Sequence, residues 1–141
     1  MSDPLRMRLV LPKVARAELL AVQAVEEVGR RAAFPHDTLA EVKLAVVEAC
    51  LNAIEYGAGE VVVDVVAHPD DGAPWLEVAV EDHGPGFSPS NVPRPALEAK
   101  LRDRRKRGWG LELMRRLMDE VEISSRPGLT RVRMIRRWGG K

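Results

Sequence analysis

Residues 38–57, TLAEVKLAVVEACLNAIEYG, carry the pattern on which the fold turns. Thr38 followed three residues later by Glu41 has the form of a capping box, and Gly57 is a good stop, so the spacing predicts one helix between them. Leu39, Val42, Val46, Ala49 and Ala53 form one apolar stripe, while Leu44, Val47, Leu51 and Ile54 form a second, which predicts burial on two sides. Between them Glu41, Glu48, Asn52 and Glu55, spaced by seven, four and three, share a third stripe. Stacked carboxylates repel one another unless a cation or solvent compensates. The stripe is therefore either a solvated face or a cation site. In the second case Asn52 offers a neutral carbonyl oxygen to Mg²⁺, and Glu48, one turn earlier, can orient or deprotonate a hydroxyl.

Downstream, EVVVDVVAH (60–68) and WLEVAVED (75–82) are β-branched runs joined by the turn-forming PDDGAP, which predicts neighbouring antiparallel strands. Upstream, RMRLVLP (6–12) predicts a strand ended by Pro12. A helix should follow, with Val14, Ala17, Ala21, Val25 and Val28 on its buried face, ending near GRRAAFPHD. From residue 84 to 107 the chain is irregular, with Pro85, Pro89, Pro93 and Pro95 and the basic run KLRDRRKR, too long for an ordinary connection. GWGLELMRRLMDEVEI (108–123) then reads as glycine loop, helix and strand, and TRVRMIRRW (130–138) as a last strand after a turn at Gly128. These elements predict an α/β two-layer sandwich with helices on one face of a mixed, mostly antiparallel sheet, as a single domain over residues 1–141.

Composition narrows the function. The 141 residues are 45% hydrophobic and 30% charged, values of an ordinary globular domain rather than a disordered chain. Lys and Arg number 22 against 21 Asp and Glu, so no global field draws the chain to nucleic acid or anionic lipid, and neither is expected as a partner. The run of Lys100, Arg102, Arg104, Arg105, Lys106 and Arg107 has three readings: solvated surface, nucleic-acid patch, or a lid that meets phosphate and an acidic partner, with Arg105 and Arg107 the best phosphate candidates. Cys50 is the single cysteine and reads as a buried small hydrophobe, which fits a reducing cytoplasm. No stretch reaches membrane-spanning length or forms a signal peptide. His36, His68 and His83 lack metal-ligand spacing and read as loop residues. Trp75, Trp109 and Trp138 read as core or interface fillers.

EDHGPGF (81–87) places Asp82 at a strand end beside Gly84 and Gly86, where backbone can approach a ligand closely. RGWGLELMRRL places Gly108 and Gly110 just before a helix, whose free N–H groups and dipole favour phosphate. Each motif is weak alone, and their conjunction in this order is far more specific.

EACLNA with Glu48 and Asn52, DHGPGF with Asp82, and GWGLELMRRLMDEVEI together resemble the N box and two glycine boxes of the GHKL superfamily of gyrase, heat-shock chaperone, histidine kinase and MutL ATP-binding domains. Within it the chain most resembles the bacterial serine-kinase anti-sigma factors, through VKLAVVEACLNA and GLELMRRLMDEV. The resemblance implies a Bergerat-type fold with an ATP lid at about 84–107, and use of ATP and Mg²⁺. It implies Asn52 as Mg²⁺ ligand, Glu48 as base and Asp82 as acceptor of the adenine amino group. Gly84, Gly86, Gly108, Gly110 and Leu111 would shape the nucleotide pocket. It further implies phosphorylation of a small anti-sigma-factor antagonist, a sigma factor as second partner, and a homodimer in the cytoplasm. An ATP-binding partner-switching module without kinase activity and a switch kinase of a stress-signalling complex are the alternatives.

Overall fold

The structure, a computed structural model, describes residues 4–56, 59–69, 73–83 and 110–138. The strands are β1 (Leu5–Leu11), β2 (Val61–His68), β3 (Trp75–Asp82), β4 (Glu120–Arg126) and β5 (Leu129–Arg137). They form one five-stranded sheet in the order β1-β2-β3-β5-β4. All four pairings are antiparallel, so the sheet holds no parallel pair among the described residues. Helices α1 (Glu18–Arg31), α2 (His36–Tyr56) and α3 (Gly110–Leu117) cover one face.

The strand period of two separates the faces. Val61, Val63, Val65 and Ala67 on β2 and Leu76, Val78 and Val80 on β3 are buried in the core with α1 and α2. Asp64, Glu77, Glu81, Arg131 and Arg133 take the alternate positions. Each valine or leucine fully buried in this way contributes roughly 1.5–3 kcal/mol, so this one layer of contacts sets most of the sheet's register.

Three readings of the helices are corrected. Helix α2 begins at His36, and the Leu39 amide bonds the Pro35 carbonyl at 3.0 Å, so Thr38 lies inside the first turn and does not cap it. Val14 is 63% exposed in the turns before α1, whereas Ala17, Ala21, Val25 and Val28 are buried as expected. The second apolar stripe of α2 is not a buried face, because Leu44 and Ile54 are 48% and 40% exposed. A helix in a two-layer fold has the sheet on one side only. The buried face instead takes in Ala45 and Cys50 beside Leu39, Val42, Val46 and Ala49. Two histidines also leave the loops: His36 opens α2 and His68 closes β2.

Helix α1 ends in a left-handed residue, Ala33 (φ 63°). The Phe34 amide returns to the Gly29 carbonyl at 2.9 Å and that of Ala33 to Arg30 at 3.0 Å, the bonding of a Schellman motif. The chain is thereby reversed into α2. Gly29 lets the two helices approach so closely that a Cβ there would overlap the Leu39 side chain.

Candidate functional site

Helix α2 lies against both β3 and α3. From its central turns Glu48 and Asn52, one turn apart, reach the first residue of α3. An ideal Cβ on Gly110 would sit 3.3 Å from Asn52 Nδ2, 3.3 Å from Glu48 Oε1 and 3.7 Å from Asn52 Oδ1. A side chain would crowd both groups, and glycine leaves the space beside them open. Both are half-buried, and no ion pair neutralises Glu48 among the described residues. A carboxylate kept unpaired beside a helix N-terminus is suited to proton acceptance or to orienting a hydroxyl.

Asp82 ends β3 on the inward face, opposite Val61 of β2 and Thr130 of β5, and is buried, with 9% of its surface exposed. Its position in the central strand, after the buried Val78 and Val80, fixes a carboxylate at the rim of the core. Leu111 packs against the core and seats the first turn of α3, helped by the buried Met114. Gly84, Gly86, Arg105, Arg107 and Gly108 lie outside the described residues, as do Trp109 and the expected lid. Glu48, Asn52 and Gly110 are thus brought together, and Asp82 stands on the strand beneath α2.

The acidic stripe divides. Glu41 does not join Glu48 and Asn52; it pairs with Arg136 Nη1 at 2.7 Å. Arg136 belongs to β5, 95 residues away in sequence, so no local pattern could have announced it. Among the described residues no three His, Cys, Asp or Glu side chains converge as a metal cluster. A cation here would depend on Asn52 together with oxygens of a ligand. Cys50 is a core residue, its thiol pushed up to about 12 by burial and, secondarily, by the charge of Glu18. Among the described residues no helix is long and apolar enough to cross a membrane.

Known proteins share this fold. The histidine kinase-like ATPase domain family matches residues 11–136. A serine-protein kinase RsbW of Bacillus cereus is 28% identical over 126 residues, covering 82% of this chain and 76% of its own. The protein of the same name from Bacillus thuringiensis strain Al Hakam is 28% identical over 122 residues, with the same coverage. Among solved structures, the RsbU and RsbW domains of a Mycobacterium tuberculosis protein align with TM-score 0.67 and 21% identity, over 97% of this chain. This chain spans only 33% of that longer one. The SiaB–SiaC complex of Pseudomonas aeruginosa aligns with TM-score 0.51 and 13% identity, over 93% of this chain and 89% of the matched chain. At these identities the structural likenesses speak for the fold.

Proposed function

The chain belongs to the histidine kinase-like ATPase domain family, and from that premise we propose that it is an ATP-dependent serine/threonine-protein kinase acting as an anti-sigma factor. Its substrate would be a small anti-sigma-factor antagonist, and a sigma factor the partner it holds in the other state. The observation that carries the reading is the convergence of Glu48, Asn52 and Gly110 at the start of α3. A homodimer in the cytoplasm completes the proposal.

The residues present fit the nucleotide. The open space at Gly110 adjoins the first amides of α3, where N–H groups and the helix dipole favour phosphate oxygens. Asp82, a carboxylate at the end of a buried strand, suits the adenine amino group as donor. Gly84, Gly86 and Gly108 would bring backbone close to the ligand, and Arg105 and Arg107 would offset phosphate charge from the lid. A magnesium ion held by Asn52 would supply charge compensation between phosphate groups. Glu48 takes the proton of the substrate hydroxyl as its oxygen attacks the γ-phosphorus. The bond from that phosphorus to the bridging oxygen breaks, and ADP departs. Positioning and charge compensation carry most of such a reaction.

The test is transfer of labelled γ-phosphate from ATP to the cognate antagonist. Wild type should transfer, and Asp82→Asn should weaken ATP binding by roughly 10-fold, the loss of one charge-assisted hydrogen bond. A wild-type chain that binds ATP but transfers nothing to a proven antagonist would leave a nucleotide-gated binding module in place of the kinase.

A further inference from the structure

We infer that Arg136 is a positioning residue that sets the start of α3 against Glu48 and Asn52; the inference rests on the proposed ATP-dependent reading of that site. Arg136 Nη1 donates to the Leu117 carbonyl, the last of α3, at 2.6 Å, and pairs with Glu41 of α2 at 2.7 Å. Its Nε lies 4.0 Å from Asp119, whose own carboxylate accepts the Arg137 amide at 2.6 Å. One guanidinium therefore joins the end of α3, the outer half of α2 and β5.

The geometry makes this more than a surface staple. At its first residue α3 meets Glu48 and Asn52, and at its last it is tied through Arg136 to Glu41. From Gly110 to Leu117 and from Glu48 back to Glu41 the interval is seven residues on each helix, about 10 Å of rise. The helices thus run antiparallel, clasped at two levels of equal spacing. Apolar contacts alone would hold α3 loosely in register, because its main buried anchors are Met114 and, just past its end, Met118, which are unbranched and adaptable. Eight residues are also too few to be helical without tertiary support. A directional bond at the C-terminal carbonyl, where a cation also suits the helix dipole, fixes the axial position that the methionines leave free. The amides at the other end then face the site at a fixed distance.

The experiment measures ATP affinity by calorimetry on the full chain, well below the unfolding midpoint, with circular dichroism recorded for each variant. Arg136→Met should raise the ATP dissociation constant roughly 10-fold, as expected when one phosphate-facing bond is misplaced. Arg136→Lys, which can still donate to Leu117 and face Glu41, should recover most of the loss. Glu41→Gln changes a half-exposed surface group and keeps the test alive should Arg136→Met fail to fold; it should weaken ATP binding roughly 3-fold. A lowered unfolding temperature with unchanged ATP affinity in Arg136→Met and Glu41→Gln would make the arginine a stabiliser only and overturn the inference alone. A wild type that binds no ATP at millimolar nucleotide would overturn the functional reading, and this inference with it.

Discussion

Ion pairs run over both faces of the sheet, and the contrast between them lies at the site. On the outer face carboxylates and guanidinium groups neutralise one another across the strands: Arg6 holds Asp64 at 2.6 Å, Arg133 holds Glu77 at 2.7 Å and Glu122 at 3.1 Å, and Arg137 holds Glu120 at 2.6 Å. His68 stacks on Trp75 with centroids 4.6 Å apart and meets Glu77 at 3.1 Å. On the helical face Glu41 is neutralised by Arg136, but Glu48 is in no ion pair among the described residues. Paired surface charges contribute little and keep an exposed sheet soluble. An unpaired carboxylate beside an amide and a helix start is left available to a reactant. In the proposed reaction the charge that does chemistry is a carboxylate that no ion pair compensates among the described residues.

The largest expected effect tests that division directly. Glu48→Gln keeps size and hydrogen bonding but removes the proton acceptor, so phosphate transfer should fall about 10²- to 10⁴-fold while ATP affinity changes little. Parallel transfer assays and titrations would show the two quantities separating. Undiminished transfer by this variant would place the base elsewhere and erase the contrast between the faces.

A smaller effect is expected at Gly110. Alanine is the better helix former by up to about 1 kcal/mol, so Gly110→Ala should leave the unfolding temperature unchanged or raise it. Its methyl would press on Asn52 and Glu48 from 3.3 Å, and roughly a 10-fold loss of ATP affinity should follow. Stability and binding moving in opposite directions would mark the glycine as a requirement of the site. If both hold steady, the helix has shifted to accommodate the methyl and the pocket is looser than it looks.

How much of this was legible in sequence depended on how local the physics was. β2 and β3 announced themselves because Val61–Val63, Val65 and Val66 are β-branched and the turn between the runs is dense in Pro, Asp and Gly. Glu48 and Asn52 could be placed on one helix face from their spacing, and Gly110, read as lying just before a helix, is its first residue. The Thr38 capping box misled because a competing start, the Pro35 carbonyl, lay one turn earlier. The second stripe of α2 misled because periodicity does not say how many faces a neighbour covers. Arg136 was invisible: its partners Glu41 and Leu117 belong to other elements, and only the antiparallel placement of β5 beside β3 brings them within reach.

The smallest effect concerns Glu77, at the centre of the outer network, and its sign can be worked out. Burial raises its carboxyl affinity for protons and is the largest single influence. The hydrogen bond and charge of Arg133, joined by those of His68, together outweigh it and hold the group below the usual carboxylate range. A carboxylate whose folded value is depressed adds stability that is present above the unfolded value, about 4.3, and is lost as pH falls through the lower folded value. Glu77→Gln should therefore cost about 0.2–1 kcal/mol at pH 7, the range of ion pairs in contact with water. Wild type and variant should converge in denaturant midpoint once pH has fallen through that lower folded value, where the wild-type carboxyl takes up its proton. At neutral pH the variant should transfer phosphate as wild type does, because among the described residues the partners of Glu77, His68 and Arg133, lie on the outer face. A loss of transfer comparable to that of Glu48→Gln would mean that charge on the outer face reaches the site, and the separation of roles between the two faces would fail.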